Sequence, residues 1–207
     1  MIIDDALRYD GLLAGLRGEG MAVCDRFLAA SEVDALANCA RTRRQRGGFA
    51  AARIGADRML QRREEIRGDA TCWLSEPLFE PERELLVLLE DLRLRLNRAA
   101  LLGLFELELH YAWYPPGAGY ARHVDQLQRR GERRVSMALY LNDRWAESDG
   151  GALRFFGDDG RFRDIEPEGG RLVIFLTERR EHAVMPTRRP RLSLTGWYRG
   201  REAMPLR

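Results

Sequence analysis

The hydrophobic period changes once along this chain, near Phe105, and that change restricts the folds open to it. Upstream, "PERELLVLLEDLRLRLNRAALLG" repeats its apolar residues at helical spacing, with Pro81 near its start and Gly103 just past its end. Downstream, "FELELHYAWY" alternates, which puts Phe105, Leu107, Leu109, Tyr111 and Trp113 on one face of a strand. "RRVSMALYLN", "GGALRFF", "GRLVIFL" and "RLSLTGWY" are predicted as further short strands, separated by Gly, Pro and Asp turns. Helices first and short strands afterwards predict a mainly β fold with flanking helices. The specific expectation is a double-stranded β-helix, or jelly roll, with the N-terminal helices packed on one sheet.

Earlier in the chain, "GMAVCDRFL" reads as a first strand. "SEVDALANCARTRR" reads as a helix capped by Ser31, with Asp34 in the usual capping-box glutamate position. The polar stretch from Gly47 to Glu65 reads as a long loop or mobile hairpin. A single domain over 1–207 is expected, with 1–104 as N-terminal support and 105–200 as the jelly-roll core.

Cysteine usage and charge narrow the functional classes. Cys24, Cys39 and Cys72 are odd in number and unrelated in spacing, which argues for a reducing, cytoplasmic setting rather than a disulfide framework. No apolar run approaches the roughly 20 residues that span a membrane, and "MIIDDALRYD" has acids where a signal peptide needs a basic flank. A net charge of +2 gives no general case for nucleic acid. The arginine clusters "RTRRQR" at 41–46 and "QRR" at 61–63 read either as solvated surface or as a basic rim for an acidic partner.

Only three histidines are present, and one falls in "YARHVDQ". If this stretch is extended, His123 and Asp125, two positions apart, face one side and supply two legs of a metal site. A third ligand must come from elsewhere, and both His182 and His110 are candidates. His182 is preferred because Arg191 follows nine residues later at the head of "RLSLTGWY". Two imidazoles and one carboxylate on one side of an octahedral ion leave three positions open. A bidentate 2-oxo acid fills two, and dioxygen fills the third. A closed four-ligand zinc site would leave no such room.

Alternation in the last strand places Arg191, Ser193, Thr195 and Trp197 on one face. A cation, two hydroxyls and an indole make a poor core layer but a suitable wall for a carboxylate, which arginine grips with a planar fork. In "RRVSMALYLN", Ser136, Ala138 and Tyr140 share a face that forms a hollow entered by a phenol. Tyr114 and Tyr120 flank the Pro/Gly turn, and His110 shares a strand face with Ala112 and Tyr114.

"YPPGAGYARHVDQ", "YLNDRW", "DGGALRFF", "EPEGGRLVIFL" and "HAVMPTRRPRLSLTGWY" together resemble the 2-oxoglutarate- and Fe(II)-dependent prolyl hydroxylases. The similarity is to the branch holding the animal hypoxia-inducible-factor prolyl hydroxylases and their bacterial SM-20-like relatives. It runs from about Tyr111 to Tyr198 and continues upstream in "IRGDATCWL", while the first 20 or so residues show no match. The resemblance implies that His123, Asp125 and His182 bind iron. It implies that Arg191 pairs with the distal carboxylate of 2-oxoglutarate, helped by Tyr140 and Thr195, with Tyr114 near the metal and Trp197 and Val184 lining the pocket. Arg67, Asp69, Trp73, Tyr120 and Arg122 fall on the peptide-binding side, and Gly47 to Glu65 falls where the family has a substrate-covering loop. Ala183 departs from the acid that many members carry there.

The implied cofactors are Fe(II) and the co-substrate 2-oxoglutarate, with ascorbate as auxiliary reductant. The implied reaction couples decarboxylation of 2-oxoglutarate to O2-dependent hydroxylation of a prolyl residue in a protein loop, with elongation factor Tu as the candidate protein. Two rivals stand beside this reading. One is a hydroxylase of free amino acids or small peptides, which predicts a narrow, closed mouth. The other is a non-catalytic jelly-roll binding module, which would tolerate loss of any ligand residue.

Overall fold

The computed structural model describes residues 5–52, 66–125 and 133–200. Its helices are α1 (Asp5–Gly18), α2 (Ala30–Gln45) and α3 (Glu80–Ala100). The strands run from β1 (Met21–Cys24), β2 (Ala50–Ala51) and β3 (Ala70–Trp73) through β4 (Leu104–Tyr114), β5 (Tyr120–His123) and β6 (Arg133–Tyr140). They continue as β7 (Leu153–Phe156), β8 (Phe162–Ile165), β9 (Leu172–Leu176), β10 (His182–Val184) and β11 (Arg191–Gly200). All pair antiparallel into two sheets, ordered β1-β9-β6-β11-β4-β3-β2 and β5-β10-β7-β8. This is the jelly roll with helices on one sheet. Strands from the N-terminal half, β1, β2 and β3, complete the larger sheet.

Two core layers divide the residues of each central strand. Leu109, Tyr111, Val135, Met137, Leu139, Leu194 and Tyr198 face the helices. Ala112, Tyr114, Ala138 and Tyr140 face the smaller sheet and meet Leu153, Phe155, Phe175 and Val184. The helical layer is anchored by Leu85, Leu89, Leu92 and Leu96 on one stripe of α3, each at most 3% exposed. At about 2 kcal/mol per buried leucine, this stripe is a large part of what holds α3 to the sheet. The Tyr198 hydroxyl donates to the Leu89 carbonyl at 2.6 Å and fixes the helix over β11. Phe105 lies beyond this cover and is 57% exposed, although alternation grouped it with Leu109 and Tyr111.

Two helix boundaries differ from the sequence expectation. The second helix begins at Ala30, and its N-cap is Ala29 rather than Ser31. Glu32 accepts a hydrogen bond from the Ala29 backbone N–H at 2.7 Å, so the longer glutamate closes the first turn, where Asp34 was expected to do so. At the end of α3, Leu101 caps the helix in a left-handed conformation with φ 51°, and Gly103 just beyond is left-handed too, with φ 62°. Asn97 supports this turn by exchanging hydrogen bonds with the Leu104 backbone at 2.7 and 2.8 Å. The helix α1 and the strand β3 had no counterpart in the sequence reading. Most of the proposed loop from Gly47 to Glu65, and the cluster at 61–63, lie outside the described residues, while Ala50–Ala51 pair with β3.

Cys24, Cys39 and Cys72 are free thiols. No helix among the described residues is long and apolar enough to cross a membrane. In the basic run, Arg43 forms an ion pair with the buried Glu82 at 2.6 Å, Arg44 lies 3.6 Å over the Trp113 ring, and Arg46 lies over Phe79.

Candidate active site

Between the sheets lies a narrow cavity of about 50 Å³. Its metal-ligating wall comes from the smaller sheet. His182 on β10 sits directly opposite His123 on β5 in antiparallel register, and their ring centroids are 4.3 Å apart. Asp125 follows two residues beyond β5's last residue and turns the same way. Its carboxylate oxygens lie 3.5 Å from His123 Nε2 and 3.7 Å from His182 Nε2. One ligand atom from each of the three side chains falls within 4.8 Å of the others.

The donor set is prepared for a cation. His123 Nδ1 is 2.7 Å from the Ala121 carbonyl, and His182 Nδ1 is 3.0 Å from the Arg180 carbonyl. A carbonyl can only accept, so Nδ1 carries the proton and Nε2 presents its lone pair inward. Phe175 stands edge-on to His182 at 4.8 Å, and Tyr120 stacks on His123 at 3.6 Å, which locks both rings. Burial lowers the His182 pKa and keeps the ring neutral. Burial alone would raise the Asp125 pKa, but contacts with the two imidazoles and Ser136 overcome it and hold the carboxyl well below its usual range. Two imidazole Nε2 atoms and one carboxylate suit Fe(II) with open positions. His110, the rival third ligand, is not in this group.

The opposite wall comes from β4, β11 and β6. Arg191 pairs with Tyr114 across the ladder, Ser193 with Ala112 and Tyr140, and Thr195 with His110 and Ala138. Arg191 is 2% exposed and forms no ion pair among the described residues. Its Nε donates to the Gly151 carbonyl at 2.9 Å, and Nη1 lies 3.4 Å from Ser193 Oγ. Tyr114 and Tyr140 flank the guanidinium at 5.0 and 5.1 Å. The Tyr140 hydroxyl has no hydrogen-bond partner among the described residues. Gly151 has φ +73°, and a Cβ there would lie 3.0 Å from Arg191 Cδ, so glycine leaves the arginine its place.

The mouth gathers the remaining predicted residues. Arg67 is held by Asp69 at 2.7 Å and lies over Tyr120 at 4.8 Å. Trp73, half exposed, lies 4.7 Å from the His110 ring, and Trp197 stacks on that ring at 5.5 Å, the two indoles adjoining at 6.4 Å. Thr195, Tyr114 and Val184 line the cavity. Arg122 does not: it lies on the outer side of β5, bonded to Glu181. Sequence reasoning passed over Phe175, Leu153 and Arg133. Phe175 and Leu153 belong to runs too apolar for alternation to show which side faces the cavity. Arg133 lies 3.6 Å over the Trp197 ring and pairs with Glu108, and its partner 25 residues earlier gave no local signal.

An inward two-histidine, one-aspartate set facing a buried arginine across a jelly roll defines a non-haem Fe(II) oxygenase of the 2-oxo-acid-dependent class. Residues 109–199 match the family model of the 2OG-Fe(II) oxygenase superfamily. A crystal structure of a Pseudomonas putida prolyl-4-hydroxylase is 40% identical, with a TM-score of 0.85, covering 93% of this chain and 99% of that one. A prolyl hydroxylase from Trichoplax adhaerens, solved with a hypoxia inducible factor oxygen degradation domain peptide fragment, is 27% identical, with a TM-score of 0.83 over 92% of this chain and 88% of that one. Human Egl nine homolog 1 is 32% identical over 93% of this chain, which spans 46% of that relative's length. The chain belongs to the 2-oxoglutarate/Fe(II) oxygenases, in their prolyl hydroxylase family, whose members use Fe(II) and 2-oxoglutarate.

Proposed function

We propose that this protein hydroxylates a prolyl residue in a protein substrate, consuming 2-oxoglutarate and O2. The observation that carries the reading is the buried Arg191 guanidinium, without a carboxylate partner among the described residues, in the same cavity as the His123, Asp125 and His182 cluster. A buried cation requires a counter-charge, and a dicarboxylate anchored there directs its other end toward the metal ligands.

His123, Asp125 and His182 would hold Fe(II), which when bound supplies the activation of O2. Arg191 binds the distal carboxylate, and the Tyr140 hydroxyl is placed to donate to it. Tyr114, whose phenol burial keeps protonated, closes the same end. Phe175, Leu153 and Val184 exclude water from the reacting side. Arg67, set by Asp69, and Tyr120 and Trp73 form the peptide side of the mouth.

The finer substrate we propose is elongation factor Tu, an acidic protein. The exposed Arg41, Arg44 and Arg46 at the end of α2 support an acidic partner. The test is mass spectrometry of a cell lysate treated with the enzyme, Fe(II) and 2-oxoglutarate, searching for one added oxygen on proline. The expected result is a hydroxylated prolyl peptide from elongation factor Tu. Oxygen found only on free amino acids would favour the small-molecule reading.

A further inference from the structure

His110 is the one histidine that the metal cluster leaves unused, and its position is chemically costly. It is 1% exposed, and neither ring nitrogen has a hydrogen-bond partner among the described residues. The neighbouring Trp197 indole N–H is also buried without a partner, and its ring stacks on the imidazole at 5.5 Å. Three polar atoms on adjoining rings therefore face a cavity wall with nothing to bond, in a fold that satisfies nearly all such atoms elsewhere. A ligand arriving there would relieve that cost.

The surroundings specify the ligand's chemistry. The two nearby cations are already neutralised: Arg67 by Asp69 at 2.7 Å, and Arg133 by Glu108 at 3.0 Å. The subsite therefore offers no free charge for a carboxylate. Burial, and then the two arginines, push the His110 pKa down to about 3, so the ring is neutral and has one N–H donor. Trp73 and Trp197 adjoin each other at 6.4 Å and together supply an apolar wall beside the imidazole, with Trp73 half exposed. Neutral donors beside two adjoining indoles match an uncharged apolar unit that carries a carbonyl. A prolyl residue has that form, since its own nitrogen carries no hydrogen and its carbonyl accepts two bonds. Arg191 and Tyr140, by contrast, lie toward the other end of the same strands, where the co-substrate carboxylate belongs.

We propose that His110, with the Trp197 indole N–H, forms a hydrogen-bonding subsite for the peptide carbonyl of the bound proline, with Trp73 as its half-exposed wall. This assignment rests on the prolyl hydroxylase reading and adds a substrate-positioning residue to it.

The chain's three histidines make the test direct. With Zn(II) on the metal ligands and 2-oxoglutarate bound, N-acetyl-L-prolinamide is titrated while His110 imidazole 15N resonances and tryptophan fluorescence are followed. The expected result is a His110 shift that saturates together with the fluorescence change. H110F should bind the probe about tenfold more weakly, the worth of one hydrogen bond, and H110Q within about threefold of wild type. Both variants should keep wild-type 2-oxoglutarate affinity and a wild-type circular dichroism spectrum, and H110F, which removes the unpaired imidazole, should melt no lower than wild type. A probe that binds without moving the His110 resonance, or that fails to bind, overturns the subsite, as does H110F binding as tightly as wild type. Proline oxygenation of a protein substrate by wild type and H110F at equal kcat/KM would sink the subsite and leave the prolyl hydroxylase reading standing. Turnover of 2-oxoglutarate that never places oxygen on proline would remove both.

Discussion

Arg191 shows how much one buried charge can determine. Its guanidinium is enclosed by Tyr114, Tyr140, Ser193 and the Gly151 carbonyl, and none of these neutralises it. Arg191→Ala should raise the 2-oxoglutarate concentration required for turnover by roughly 10- to 100-fold, the worth of a charge-assisted pair of about 1.5–3 kcal/mol. Arg191→Lys should recover little, because an ammonium cannot reproduce the planar fork. Steady-state kinetics against 2-oxoglutarate decides this, and an unchanged requirement would mean that another residue holds the acid. Asp125→Ala should abolish Mn(II) binding, read by calorimetry, while the circular dichroism spectrum is kept. These side chains were legible in the sequence because each lies on a short strand or strand end where alternation fixes its direction. The tautomers of His123 and His182 were not, since they depend on the carbonyls of Ala121 and Arg180, whose positions only the folded backbone sets.

At the scale of elements, long periodic segments were readable and short ones were not. The helix α3 and the strands β4, β6 and β11 carry enough residues for their period to show, and the three strands form the floor of the site. The strands β3 and β10 have four and three residues, too few for a pattern, and they form only because neighbouring strands offer unpaired backbone. Long-range ion pairs were equally hidden. Glu82 at the start of α3 accepts from Arg43 of α2, the Tyr111 hydroxyl at 3.0 Å and the Phe79 N–H at 2.9 Å. Burial works to raise its pKa, but these donors outweigh it and the net shift is downward. A depressed pKa contributes stability that is present above the unfolded value of about 4.3 and lost as pH falls through the folded one. Glu82→Ala should therefore cost about 3 kcal/mol near neutral pH, by leaving Arg43 and Tyr111 unpaired, and less in acid. Chemical denaturation at two pH values checks both magnitude and sign. Leu101 offers the opposite change. It is 90% exposed in a left-handed conformation, so Leu101→Gly should stabilise the fold by about 1 kcal/mol, a rise of roughly 2–4 °C in Tm.

At the scale of the whole molecule, the two sheets bring together groups that lack full partners among the described residues. The smaller sheet contributes an anionic corner at Asp125, the larger sheet a cation at Arg191, and the mouth uncharged donors at His110 and Trp197. The fold carries each cost through packing elsewhere, chiefly the helical layer over the larger sheet. Ligand binding should therefore appear as global stability, since a co-substrate that reaches from the metal ligands to Arg191 binds only where both sheets are in place. With the metal site filled by Mn(II), 2-oxoglutarate at about 100 times its Kd should add about 2.7 kcal/mol, a rise of roughly 5–10 °C in Tm. Arg191→Ala should lose most of the 2-oxoglutarate increment while keeping the Mn(II) increment, and Asp125→Ala should lose the Mn(II) increment first. Differential scanning fluorimetry with the ligands added singly and together separates these cases. Equal 2-oxoglutarate stabilisation of wild type and Arg191→Ala would show that the co-substrate is not held by the larger sheet, and the two walls would then not act as one site.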